Sequence, residues 1–270
     1  MRATHPTAYD ALNDVLADLV TGAQAALGES FIAAYLQGSF AVGDWDAYSD
    51  VDFLIVAARE ISDVEMTRLS ALHARLFARP EPWAQHLEGS YIPAARLKTP
   101  TPAREPLLFL DNGSHTLIRS AHCDTLVTRW AVRECGMTLA GPPPHTLIDP
   151  VAPDELRDEV RNKMHDWHEA TLANPQWLDN RWGQAYCVLQ YCRMLHTLHT
   201  GRVGSKLAGA QWAQNALDPR WAGLIQRAWA ERPNPDEKVR LPACQDDIVS
   251  TLAFMSYALT LLSPDDSSSR

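Results

Sequence analysis

Residues 38 to 52 read Gly38-Ser39-Phe40-Ala41-Val42-Gly43-Asp44-Trp45-Asp46-Ala47-Tyr48-Ser49-Asp50-Val51-Asp52. An apolar run, Phe31-Ile32-Ala33-Ala34-Tyr35-Leu36, leads into this stretch, and a second, from Val51 to Val56, leaves it. The pattern predicts a strand, a Gly-Ser turn, a loop and a second strand. Asp50 and Asp52 stand two apart at the head of the second strand. Side chains alternate faces along a strand, so the two carboxylates point the same way and repel unless a cation lies between them. Mg²⁺ suits such a pair, being a hard ion bound by a few carboxylates plus substrate phosphates. Gly38 and Ser39 are small enough for backbone N–H groups to approach a phosphate closely.

Gly-Ser, a loop, then Asp-x-Asp resembles the signature of the nucleotidyltransferase superfamily built on the DNA polymerase β palm. Gly43-Asp44 inside the loop and Ser49 ahead of the acid pair extend the likeness. The resemblance implies transfer of a nucleoside monophosphate from a triphosphate to a nucleophile, with pyrophosphate leaving. Such a catalyst must hold the triphosphate, neutralise developing charge and take a proton from the attacking hydroxyl. Two Mg²⁺ ions, about 3.5–4 Å apart, can clamp the attacking and leaving oxygens. Asp50 and Asp52 are the expected ligands, and Gly38 and Ser39 the expected nucleotide contacts. A third carboxylate on a neighbouring strand is required, as second-metal ligand or general base. Glu88 is the choice, because Leu87-Glu88-Gly89-Ser90-Tyr91-Ile92 is otherwise uncharged and glutamate is a poor strand former. Asp111 is the second choice, although Asp111-Asn112-Gly113-Ser114 already reads as a turn. Asp44 is expected to shape the loop and Asp46 to face solvent.

The chain has 270 residues, 46% hydrophobic and 21% charged, which suits a globular protein of one large or two ordinary domains. The formal net charge of −9 argues against broad nucleic-acid binding, which needs a basic surface, and is compatible with a cationic small substrate. Neither a secretory h-region nor a membrane-spanning apolar run is visible, so a cytoplasmic location is expected. Cys123, Cys135, Cys187, Cys192 and Cys244 are odd in number and lack zinc-site spacing, which fits reduced thiols. His165 with His168, and His196 with His199, fall at helical spacing without further metal ligands.

Helical periodicity predicts a first helix over residues 8–27, and Ser62 caps a second running to Phe77. Residues 85–92 read as a third strand and 93–106 as a Pro-rich connection. Leu107–Leu110 and His115–Ile118 read as a hairpin. Residues 122–137 read as a helix, closed by Gly141-Pro142-Pro143-Pro144. Five more helices follow, over residues 154–172, 180–200, 205–217, 219–232 and 246–262. The expected fold is therefore α+β: a mixed-sheet domain over residues 1–145, then an all-α helical bundle over 146–263. Residues 264–270 are expected to be a disordered tail.

The helical part carries a narrower likeness. Tyr191-Cys192-Arg193-Met194-Leu195, then His199-Thr200-Gly201-Arg202-Val203-Gly204-Ser205-Lys206, then Gln211-Trp212-Ala213 resembles the C-terminal domain of the streptomycin/spectinomycin adenylyltransferases. In that family ATP lies between the domains, and the resemblance implies that Arg193 and Lys206 reach its phosphates. Arg and Lys are natural phosphate binders, which agrees in type. The family meets its cationic drug with acidic residues and a tryptophan ahead of this helix. Trp177 and Asp179 are the matching residue types, and their spacing to Arg193 departs from the family pattern. The leading expectation is a Mg²⁺-dependent transfer of AMP from ATP to a hydroxyl of a small molecule, with an aminoglycoside as the acceptor. The alternatives are adenylylation of a protein side chain, as in toxin–antitoxin or regulatory systems, and a catalytically inactive nucleotide-binding module.

Overall fold

The computed structural model describes residues 5–46, 49–98, 106–232 and 241–262. The chain divides into two compact units, one ending at Val151 and the other starting at Ala152. The tail expected over residues 264–270 lies outside the described residues.

The first unit is a six-stranded sheet in the order β5-β4-β3-β2-β1-β6. Its strands are β1 (Phe31–Leu36), β2 (Val51–Ala57), β3 (Leu87–Pro93), β4 (Leu107–Leu110), β5 (Leu117–Ser120) and β6 (Met137–Ala140). Only β2 and β3 pair in parallel; the other neighbours are antiparallel. A parallel pair needs a long crossover, and α3 (Asp63–Phe77) supplies it. Ser62 caps α3 by a reciprocal box: its Oγ accepts from Glu65 N at 3.4 Å, and Glu65 Oε2 accepts from Ser62 N at 2.9 Å. Arg59, bonded to the same carboxylate, and Ser62 together hold Glu65 well down, at about 2.

α1 (Asp10–Leu27) buries Leu12, Val15, Leu16, Leu19 and Ala23 against one face of the sheet, beside Leu69, Leu72 and Leu76 of α3. Beneath them His73 Nε2 lies 2.7 Å from Tyr91 Oη, and burial pushes the imidazole down to about 4. The other face is a smaller core of Tyr35, Leu54, Val56, Ile92 and Val132. Val132 belongs to α5 (Leu126–Cys135), whose N-cap Thr125 accepts from Thr128 N.

Four local features differ from the sequence expectation. Gly38–Val42 forms a short helix, α2, where a plain turn and loop are expected. Ala94–Lys98 forms α4 within the Pro-rich connection. The second hairpin strand starts at Leu117, two residues late, because Ser114 Oγ accepts from Thr116 N and prolongs the turn. The helix expected over 122–137 is shorter at both ends. It starts after Thr125 and stops at Gly136, and Met137–Ala140 instead lies antiparallel along the outer edge of β1.

The second unit is all helical: α6 (Pro153–Ala173), α7 (Arg181–Thr200), α8 (Lys206–Ala216), α9 (Ala222–Ala230) and α10 (Gln245–Thr260). These are the five helices that the periodicity predicts. α7 is the axis of the unit and packs against the other four. Its buried face carries Cys187, Val188, Leu189, Tyr191, Cys192 and Leu195. All five cysteines are free. No helix among the described residues is long and apolar enough to cross a membrane.

Candidate active site

The chain leaves β1 at Leu36 and turns at once. Gln37 N donates to Asp52 O at 2.8 Å, which ties the start of the turn to β2. Gly38 follows with φ +65°, and a Cβ there would overlap the Asp52 carboxylate. Glycine is therefore required twice, for the left-handed backbone and for the approach of Asp52 to the start of α2. Ser39 Oγ is buried and makes no hydrogen bond among the described residues. A buried hydroxyl without a partner is costly, so a ligand atom is its natural complement.

α2 ends at Gly43 in the left-handed conformation, and Asp44 N donates back to Ser39 O at 3.1 Å. The Asp44 backbone thus closes the helix. Trp45 lies edge-on to Tyr9 at 4.8 Å and stacks on Phe40 at 5.9 Å, anchoring the loop to the start of α1. Asp46 N donates to Ser49 Oγ at 2.9 Å, and Ser49 N donates to Asp46 O at 3.1 Å. The chain then reaches Asp50 and enters β2 at Val51. Asp50 stands just ahead of the strand rather than within it.

Asp52 and Glu88 are register partners in the parallel β2–β3 ladder. Their side chains share one face about 4.8 Å apart, the ordinary strand spacing. The same face carries Leu54 and Ser90 further along the strands, and α5 covers it beyond the acids. Gly89 lets β3 come close, because a Cβ there would overlap Phe53 O. The segment entering α5 passes over the acids. His122 Nε2 lies 3.7 Å from Glu88 Oε1, and Phe109 lies against the His122 ring at 5.3 Å. Cys123 is within electrostatic reach of Glu88, Asp52 and Asp124; burial pushes its thiol up to about 12, so it stays protonated. Asp111, the second-choice acid, is exposed, and its carbonyl accepts from Ser114 N in the hairpin turn.

The donors suit a hard cation. Asp52 and Glu88 offer carboxylate oxygens on adjacent strands, and the thiol of Cys123 near them stays protonated. Among the described residues, no three His, Cys, Asp or Glu side chains are gathered closely enough to hold a metal by themselves. Mg²⁺ is usually bound by one or two carboxylates with substrate phosphates completing its shell.

Sequence reasoning missed the support of this site. Arg96 of α4 donates to Asp124 Oδ2 at 2.6 Å, and Arg129 of α5 donates to Asp124 Oδ1 at 2.5 Å and to Arg96 O at 2.8 Å. All three side chains are buried. Their shared carboxylate fastens the His122–Thr125 segment, and with it the residues facing Glu88.

In the helical unit Arg193 lies on α7, where α8 packs tightly: a Cβ at Gly209 would meet Arg193 Cα at 2.7 Å. Ser205 caps α8, accepting from Ala208 N at 3.0 Å. Lys206 follows it, with its ammonium 5.2 Å from the centre of the Tyr186 ring. Trp177 stacks on Trp167 at 5.7 Å and donates from Nε1 to Thr171 Oγ1 at 3.2 Å, while Asp179 is exposed.

This architecture defines the fold. The chain has the α+β nucleotidyltransferase fold with a helical C-terminal region. It superposes with a TM-score of 0.68 and 12% identity on the crystal structure of spectinomycin adenyltransferase AAD(9) from Enterococcus faecialis with ATP and spectinomycin, covering 92% of this chain and 98% of that one. Within the class it resembles the aminoglycoside adenylyltransferases. Residues 146–257 match the model of the aminoglycoside adenylyltransferase C-terminal domain. Over 228 residues the chain is 22% identical to the aminoglycoside (3'') (9) adenylyltransferases of Klebsiella pneumoniae, Shigella flexneri and Escherichia coli, covering 79% of this chain and 82% of theirs.

Proposed function

We propose that the chain is an adenylyltransferase that moves AMP from ATP onto a hydroxyl of a small molecule of the aminoglycoside class. The observation that carries this reading is the side-by-side placement of Asp52 and Glu88, with Asp52 against Gly38, the residue before the buried Ser39 hydroxyl. The acceptor class is supported by the relatives, whose names give aminoglycosides as what they act on.

In this reading the Gly38 backbone and Ser39 Oγ hold the triphosphate, and Arg193 and Lys206 supply cations to it. Asp50, Asp52 and Glu88 would hold Mg²⁺, which supplies charge neutralisation at the transferring phosphoryl group and the leaving pyrophosphate. The acceptor oxygen bonds to the α-phosphorus, and Glu88 takes its proton. The bond from the α-phosphorus to the α,β-bridging oxygen breaks, and pyrophosphate leaves with that electron pair. Trp177 and Asp179 are the proposed, weaker contacts to the acceptor.

The direct test is incubation with labelled ATP, Mg²⁺ and an aminoglycoside panel, following pyrophosphate release and label on the acceptor. Release with no labelled small molecule and label on protein instead would replace the acceptor class. ATP binding without any turnover would leave a binding module.

Two substitutions refine the roles. Glu88→Gln is expected to slow the transfer step by about 10²–10⁴-fold, the usual scale for losing a general base, with nucleotide affinity kept. Comparison of kcat with nucleotide Kd checks this; loss of metal binding alone would make Glu88 a ligand only. Lys206→Ala is expected to weaken ATP binding by about 1.5–3 kcal/mol, the scale of a hydrogen bond to a charged group. Calorimetry on Lys206→Ala and Arg193→Ala decides it, and unchanged affinity in both would remove the helical unit from nucleotide binding.

A further inference from the structure

The turn between β4 and β5 carries a polar side chain that the reaction leaves unused. Asn112 Nδ2 donates to Asp50 Oδ1. Asn112 Oδ1 lies 3.1 Å from His86 Nδ1. A carboxamide oxygen only accepts, so the imidazole carries its proton on Nδ1. The amide is thus fixed at both ends and cannot rotate without losing both bonds.

A turn-forming role does not account for this geometry. Backbone bonds already close the turn: Ser114 N donates to Asp111 O at 3.0 Å, and Gly113, at φ +75°, donates from N to Gln85 O at 3.1 Å. An asparagine that serves a turn bonds its own neighbours, whereas both polar ends of Asn112 reach outside. His86 also accepts from Val51 N at 2.8 Å, so one residue grips the chain beside Asp50 and the amide that meets its carboxylate. The β2–β3 ladder begins at Val51 with Leu87, so strand pairing does not set the Asp50 side chain.

We propose that Asn112, held by His86, is a positioning residue that fixes the Asp50 carboxylate for the metal–nucleotide complex; this rests on the reading of Asp50 as a metal ligand. Carboxylates that ligate metals are themselves held by outer partners, whose loss weakens metal binding by about 10–100-fold.

The test uses the full chain, Mn²⁺ as a paramagnetic probe and a non-hydrolysable ATP analogue, with free Mn²⁺ read by electron paramagnetic resonance. Asn112→Ala should weaken Mn²⁺ binding by about 10–100-fold, with the analogue's metal-free affinity and the thermal midpoint unchanged. Turnover, where measured, should recover toward wild type as Mg²⁺ is raised, which a merely structural loss would not do. His86→Ala should shift Mn²⁺ affinity in the same direction by less, and it serves as the test if Asn112→Ala does not fold. Wild-type Mn²⁺ affinity in the folded Asn112→Ala protein, or in His86→Ala where that stands in, overturns the proposal. If the wild-type chain itself takes up no Mn²⁺ with the analogue, the metal-dependent function fails first and this inference falls with it.

Discussion

Asp52→Asn is expected to leave a folded protein that transfers no measurable adenylyl group. The loss should reach about 10²–10³-fold or more, the scale for removing one preorganised electrostatic contact with developing transition-state charge. Stability should move the other way. Asp52 and Glu88 are direct register partners, and like charges placed so repel. Neutralising one should hold or raise the unfolding free energy from urea denaturation, by about 0.2–1 kcal/mol. The position tolerates the change sterically, because Asn keeps the shape that Gly38 makes room for. Inactivity with unchanged or improved stability marks a residue kept for chemistry. Wild-type turnover in the purified, folded variant would remove Asp52 from the site.

The second large effect concerns folding. Asp124→Ala should destabilise the sheet-bearing unit by about 3–5 kcal/mol, the cost of breaking a buried ion cluster by removing one partner. Side-chain exposure decides the magnitude: 2% for Asp124, 8% for Arg96 and 3% for Arg129. Two guanidiniums that share one carboxylate would keep their desolvation cost and lose their common counter-charge. Against a typical total of about 5–15 kcal/mol, such a loss is a substantial part of the whole stability. Replacing all three by apolar residues of similar volume should restore much of the stability, since a removed cluster costs far less than a broken one. Urea denaturation of the single and triple variants separates the cases. A loss of unfolding free energy below about 1 kcal/mol in Asp124→Ala, the scale of an exposed pair, would show that the cluster is solvated in solution.

The legible parts of this molecule are those whose cause is local. Strand alternation and small residues place Gly38, Ser39 and Asp52 within one short stretch. Helix caps at Ser62, Asn180 and Ser205, with 3.6-residue periodicity between them, give α3, α7 and α8 nearly to the residue. Glu88 is legible because a lone charge in an apolar strand asks for a reason. The rest depends on partners far away in sequence. Asn112 reads as a turn residue, and nothing nearby shows that its amide reaches Asp50. Arg96 and Arg129 carry no local sign of burial, since arginine is seldom buried without a partner, and their partner lies 28 and 5 residues away. α2 has five residues, too few to show a period. β6 follows a helix with only Gly136 to separate them, and its identity is set by the open edge of β1.

That last pairing has a consequence for biosynthesis. The partner of Leu36 is Met137, so the edge of β1 stays uncovered while the intervening hundred or so residues are made. At about 5–20 residues per second, this is a delay of roughly 5–20 s. β1 and β2 can pair within about 1–10 μs of emerging, the time of a hairpin. A nascent chain therefore carries a formed strand with unpaired N–H and C=O groups for about a million times longer than the pairing itself takes. Exposed edges of this kind template association with other chains. The sheet is most open to misassembly on the ribosome, and the hazard ends only when Met137–Ala140 emerges and takes its place beside β1.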